Sequence, residues 1–312
     1  MMELATLPAA LDAFLRSRTR LRRSPATLKG YRTYIGRFIA FLEERQSSLG
    51  IQTLTVDQVG DFQDWLRANN TTGNRDGAAA EFNAVRFLKT FGRWLWRRGL
   101  VAQDPLAKLE VPRLPKQRRQ PYTEAEVRGL VAAARAGRRP VLERALLLLG
   151  LDTGARIGEL CAAELGDLNL DRGSILFRHT KFNHTRLVFF GVPGAEGGGP
   201  CTQALRDWLA ERGTIPSQTI FVDSVGEPLT TDQARYIYAA LGRSAGVAHC
   251  IPHRGRHTHA TELLAELPGA EIHLRHRLGH LSPEVLADYV TISDRSAQAI
   301  ASVASLSAKW NL

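Results

Sequence analysis

Apolar residues recur every three or four positions at Leu28, Tyr31, Ile35, Phe38 and Leu42, the spacing of one buried helix face. Ser24-Pro25 stands just ahead, a Ser at the N-cap and a Pro at the first helical position, so a helix is predicted to begin there. Thr55 opens a second helix with Val59, Phe62 and Leu66 on its stripe. A third runs through Phe82, Val85, Leu88 and Leu95 and ends near Gly99. Between Asp104 and Pro121 the pattern breaks, because Pro105, Pro112, Pro115 and Pro121 interrupt any helix. Thr123 and Glu126 then have capping-box spacing. An apolar helix follows from Val141 to Gly150, and the helical pattern resumes after Arg156 as far as Leu165. Ile175 and Phe177 alternate with polar residues, and Arg186 to Gly191 is rich in Val and Phe. These two runs should pair as a hairpin, with Lys181 to Thr185 near its turn. The stretch from Gly191 to Pro200 reads as a loop, and helix dominates thereafter, Ser282-Pro283 starting the one that carries Tyr289.

The expected fold is mainly α with a small antiparallel β-hairpin or sheet in its second half. A length of 312 residues suits two domains, since single cores stop growing at roughly 250 residues. The expected division is a helical domain over 1–112, a basic linker over 113–121 and a mixed domain over 122–312. Its tail, from about 290 to 312, is amphipathic through Val303, Leu306 and Trp310, and so suited to docking on a neighbouring protomer.

Charge sharpens this division. Residues 1–121 hold 21 of the 41 Lys and Arg but 11 of the 31 Asp and Glu, so the whole net charge of +10 lies there. All nine histidines lie in the remainder. That asymmetry joins an electrostatic grip on a polyanion to a unit whose polar residues serve chemistry, unless it reflects a solubility bias. The third helix carries Arg86, Lys89, Arg93, Arg97 and Arg98 on its polar face, and the linker adds Arg113, Lys116, Arg118 and Arg119. With Lys29, all of these but Arg98 are the candidate DNA contacts. No window holds about 18 uncharged apolar residues, which argues against a membrane span. The first residues carry Glu3 and Asp12 and no basic region, so they do not read as a secretory signal. Cys161, Cys201 and Cys250 are too few and scattered for a disulfide framework, which fits a reducing, cytoplasmic setting.

Four stretches carry the candidate chemistry. Thr153-Gly154-Ala155-Arg156-Ile157-Gly158-Glu159-Leu160 resembles the first arginine patch of the tyrosine recombinase, or phage integrase, family. His253-Arg254-Gly255-Arg256-His257 resembles its His-x-x-Arg patch, and Leu278-Gly279-His280 followed by Tyr289 its closing motif. Lys181 stands where that family has a hairpin lysine, and Ser24 to Tyr31 resembles its first core-binding helix. The resemblance implies a two-domain architecture, with a SAM-like helical core-binding domain and a mixed catalytic domain closing around duplex DNA. It implies a 3′-phosphotyrosyl intermediate, a Holliday junction, and four protomers on two recombination sites from a monomer or weak oligomer in solution. The same resemblance makes Tyr289 the nucleophile, with Arg156, Arg256 and His280 on the phosphate, His253 as base and Lys181 as acid. Glu159 orients Arg156, and His257 is a supporting residue.

The chemistry suits these residue types. Two guanidiniums, charged at any physiological pH, donate planar pairs of hydrogen bonds to a phosphate gaining negative charge. Exchange of one phosphodiester for another conserves bond energy, so no ATP, metal or other cofactor is implied. The first domain starts near residue 1, so a simple Xer-like resolvase or a mobile-element recombinase is expected, near the nucleoid. Alternatives stay open: a catalytically silent DNA-binding relative, a type IB topoisomerase-like activity, or a zinc-dependent hydrolase using Cys250, His253, His257 and His259. Taken singly, Arg156 and Glu159 are also compatible with an ordinary i,i+3 ion pair, and Tyr289 with a core aromatic.

Overall fold

The computed structural model describes residues 5–69, 76–112, 120–178, 185–190, 198–267 and 271–279. The chain divides into two compact units, residues 1–117 and 118–312. Among the described residues helices dominate, with one three-stranded antiparallel sheet.

The first unit holds α1 (Leu7–Arg20), α2 (Pro25–Glu44), α3 (Val56–Ala68) and α4 (Asp76–Arg97). Ser24 caps α2 by accepting from the Thr27 amide, and Thr55 caps α3 by accepting from Gln58. Their stripes meet in an aromatic core of Phe14, Phe38, Phe41, Phe62 and Phe91, all fully buried. Phe14 packs edge-on against Tyr31 and Phe91, at 4.8 and 5.3 Å between ring centres. The sequence pattern did not single out α1, whose N-cap Thr6 makes no side-chain bond. The segment after Gly99 differs from a free linker at its start. Leu106 is fully buried in this unit, and the Asp104 carboxylate accepts from its amide at 3.1 Å.

The second unit builds on α5 (Glu124–Arg135), α6 (Pro140–Thr153) and α7 (Ile157–Cys161). The Thr123–Glu126 capping box forms as the spacing requires. Helix α6 is apolar nearly all round, with Leu142, Leu146, Leu147 and Leu149 buried, and packs against α5, α8 (Pro200–Arg212) and α10 (Pro252–Glu266). Helix α7 stops at Cys161 rather than Leu165, because the chain there turns to pair elsewhere. The Leu165 amide donates to Gln218 O at 2.8 Å, and Glu164 bridges to Thr219. Strands β2 (Ser174–Phe177) and β3 (Arg186–Phe189) pair as the expected hairpin, with Phe177 opposite Arg186. A short β1 (Leu168–Asn169) that the pattern did not reveal adds to the β2 edge. The expected loop over Gly191 to Pro200 lies largely outside the described residues, and its last member Pro200 begins α8. Helices α9 (Thr231–Ala245) and α11 (Glu271–Leu278) complete the unit.

Candidate active site

Helix α6 ends in a left-handed residue, Gly154 at φ 60°. A side chain there would be strained, and its Cβ would lie 2.7 Å from both His259 and Leu278. This turn leaves the Gly154 carbonyl facing α10 and makes Arg156 the N-cap of α7. Arg256, on α10 and only 2% exposed, donates to that carbonyl at 2.8 Å and to Leu278 O at 2.7 Å. Arg156 reaches the next carbonyl, Gly279 O, at 3.3 Å. Two arginines 100 residues apart in sequence are thus held against one turn, the backbone immediately before His280.

Glu159 sets the orientation of Arg156. Its buried carboxylate accepts from the Arg156 amide at 2.7 Å and from Arg156 Nη1 at 2.8 Å. Arg186, from β3, donates to both oxygens of the same carboxylate, at 3.0 and 2.6 Å. Burial alone would raise the Glu159 pKa. The hydrogen bonds and charge of Arg186, followed by those of Arg156, instead hold it below the ordinary glutamate value. Arg186 also donates from Nε to Arg277 O at 2.7 Å and stacks on Phe177, 5.0 Å from its ring centre.

Arg277 anchors the turn from its other side. Its guanidinium donates to Asp152 O at 2.9 Å and Phe189 O at 3.0 Å, and approaches His259 Nε2 at 3.4 Å. Burial, then the charge of Arg277, lowers the His259 pKa to about 4. Burial raises that of Asp152 to about 6, opposed by Arg277. Arg254 does different work from its neighbours in the second patch. It donates to Gln120 O, Pro121 O and Ala248 O, pairs with Glu126 at 2.7 Å and lies over Tyr122, 4.2 Å from the ring centre. The Tyr122 amide in turn donates to Thr258 at 2.7 Å, so the start of this unit is pinned to α10.

Of the sequence-predicted residues, the structure brings together Arg156, Glu159 and Arg256 at the Leu278–Gly279 turn. His253 is exposed in the first turn of α10, and His257 is buried one turn further on. Lys181, His280 and Tyr289 lie outside the described residues, as do Arg113, Lys116, Arg118 and Arg119. Sequence reasoning missed Arg186 and Arg277 as parts of the site. Only Arg186's inward register, opposite Phe177 in a strand, could have marked the first. For the zinc alternative, Cys250 is buried and accepts from the Tyr122 hydroxyl at 3.4 Å. Among the described residues no three His, Cys, Asp or Glu side chains gather as a metal site needs.

In the first unit Arg86, Lys89, Arg93 and Arg97 line one concavity of about 360 Å³ with Arg18, Thr90, Trp94 and Val111. Arg18 was not among the residues expected there. Lys89 departs from the expected phosphate contact. Its ammonium donates to Leu106 O at 2.9 Å, Ala107 O at 3.3 Å and Leu109 O, which occupies all three of its donors. Arg93 lies 3.5 Å from Asp104, whereas Lys29 is exposed on α2.

The phage integrase family model matches residues 121–295. The tyrosine recombinase XerC of Mycobacterium tuberculosis (strain ATCC 25177 / H37Ra) is 32% identical over 274 residues, 83% of this chain and 86% of its own. The chain belongs to the phage integrase family of tyrosine recombinases. It is an enzyme of a family that breaks and rejoins DNA, and it acts as a site-specific DNA recombinase. Solved structures agree on the recombinase fold. The Tn1549 transposon integrase in complex with a circular intermediate DNA matches with a TM-score of 0.72 at 18% identity, covering 96% of this chain and 99% of that one. The lambda integrase tetramer bound to a Holliday junction matches at 0.69 and 18%, covering 89% and 78%. No helix among the described residues is long and apolar enough to cross a membrane.

Proposed function

We propose that this recombinase cleaves duplex DNA by attack of Tyr289 on the scissile phosphate and rejoins the strand to a partner site through a Holliday junction. The observation that carries the reading is the convergence of Arg156 and Arg256 on the carbonyls just ahead of His280. Attack concentrates negative charge on the non-bridging oxygens, and both guanidiniums stay charged while it develops. His280 adds a third donor. The Tyr289 oxygen bonds to phosphorus as its proton passes to His253, and the bond to the 5′-oxygen breaks as Lys181 protonates it. An unperturbed phenol has a pKa of about 10, so Tyr289 needs this base and the field of the arginines.

The first unit grips the DNA backbone through Arg86, Arg93 and Arg97, with Arg18 added to the set, and through Lys29. Linker residues Arg113, Lys116, Arg118 and Arg119 continue that contact. Four protomers assemble on two sites, and residues 290–312 couple neighbours. The likeness to the mycobacterial XerC supports a simple Xer-like enzyme acting in the cytoplasm at the nucleoid. The test is a nicked substrate carrying a site selected by binding from randomised duplexes, with products run on a denaturing gel. A covalent protein–DNA band is expected from the wild type and not from Tyr289→Phe. A band from the Phe variant, or none from wild type that binds the site, would overturn the reading.

A further inference from the structure

One carboxylate in the site faces two guanidiniums. Glu159 accepts from Arg156 and Arg186 together, and its side chain is 2% exposed. The Arg156 side chain is 26% exposed and open to solvent, whereas that of Arg186 is 3% exposed and is sealed away. Without Arg186, the one guanidinium left on Glu159 among the described residues would be that of Arg156, and the pair would present little net charge to DNA. Arg186 also packs against the turn that Arg156 and Arg256 both touch. It donates to Arg277 O, and a Cβ on Gly279, itself at φ 65°, would sit 3.2 Å from its Nη1.

We propose that Arg186 is a positioning residue: it balances the charge of Glu159, so that Arg156 keeps its own for the scissile phosphate, and it braces the turn from Arg277 to Gly279. This rests on the reading above that Arg156 binds that phosphate. The alternative is an ion pair that only holds β3 to α7. The two differ in what happens when the phosphate itself carries no charge.

Single-turnover cleavage is therefore compared on one site carrying either an ordinary phosphodiester or a neutral methylphosphonate at the scissile position. Arg186→Met is expected to slow the phosphodiester about 100-fold and the methylphosphonate less than about 5-fold, each against wild type on the same substrate. Half-site binding should stay within about threefold, because Arg186 is buried away from DNA. Equal losses on both substrates, or no loss on either, would overturn the proposal. If Arg186→Met does not fold, Arg186→Gln replaces it, since it also removes the charge and keeps an amide that can donate to Glu159. Its loss must again be larger on the phosphodiester, and equal losses overturn the proposal as before. Two controls separate this from failure of the underlying reading. Arg156→Ala should show the same substrate preference, and Tyr289→Phe should form no adduct. If either control fails, the assignment of the site is wrong; if both hold and Arg186 variants show no preference, only the role of Arg186 is wrong.

Discussion

Two sets of arginines, one in each unit, are put to opposite uses. In the first, Arg86, Arg93 and Arg97 stay exposed around one concavity, and the unit is held together by its aromatic core. In the second, Arg186, Arg212 and Arg256 are 4%, 5% and 2% exposed and donate to main-chain carbonyls, Arg186 also to Glu159. An exposed guanidinium contributes to a field, and a neighbour can partly replace it. A buried one is specified by geometry, because each of its donors needs an acceptor in a fixed place. The first unit, residues 1–117, therefore carries +8 of the chain's net charge of +10, while the second, at +2, buries a few arginines as fixed donors, Arg186 and Arg256 among them at the site.

The largest effect should come from Arg256→Lys. A lysine cannot reach Gly154 O and Leu278 O from one planar group, so single-turnover cleavage should fall roughly 100- to 1000-fold. Gel-shift affinity for a half-site should barely move. A matching loss of affinity would break the comparison, since Arg256 would then be gripping DNA as is proposed for the first-unit arginines.

A second effect lies behind the turn, where Asp152 and His259 both face Arg277. Asp152 has its pKa raised to about 6 by burial, so the folded state favours its protonated form. Its cost to stability is absent near pH 4 and grows as pH rises to about 6. His259, lowered to about 4 by burial and then by Arg277, costs stability as pH falls from 6.5 towards 4. Relative to wild type, Asp152→Asn should gain stability as pH rises through that window, and His259→Gln should gain as it falls. Denaturant melts at several pH values read both slopes, and equal signs would contradict the assigned environments.

The smallest effects separate two cations on one helix face. Lys89→Met should cost the first unit about 2 kcal/mol, because three carbonyls lose a charged donor, and leave the salt dependence of DNA binding unchanged. Arg97→Gln should do the reverse, lowering the salt slope by about 1 and changing stability by less than about 0.5 kcal/mol. Denaturant titration and salt titration of binding read the two quantities.

That pair also marks how far the sequence could be read. Lys89 and Arg97 share a face and a charge, but the acceptors of Lys89 lie 17 to 20 residues downstream, where no local pattern points to them. What was legible was local. The Ser24 and Thr55 caps and the Thr123 box sit within three residues of their partners, and the β2–β3 pairing follows from period-two alternation. Helix α1 had an apolar stripe at Leu7, Leu11, Phe14 and Leu15 but no side-chain cap to announce it. The overlong reading of α7 has a tertiary cause, since Leu165 is claimed by Gln218. In the site, Arg156 with Glu159 and the Arg256 patch were visible as motifs. Arg186 was not, because its partners Glu159 and Arg277 are 27 and 91 residues away.

Preparation of a phosphate for Tyr289 is the role proposed for Arg156 and Arg256. It is tested most directly by digesting the trapped protein–DNA adduct with nuclease and protease and locating the attached nucleotide by mass spectrometry. The expected result is a nucleoside 3′-phosphate esterified to Tyr289 alone. Attachment to another residue, or no adduct from protein that binds and distinguishes its site, would contradict it.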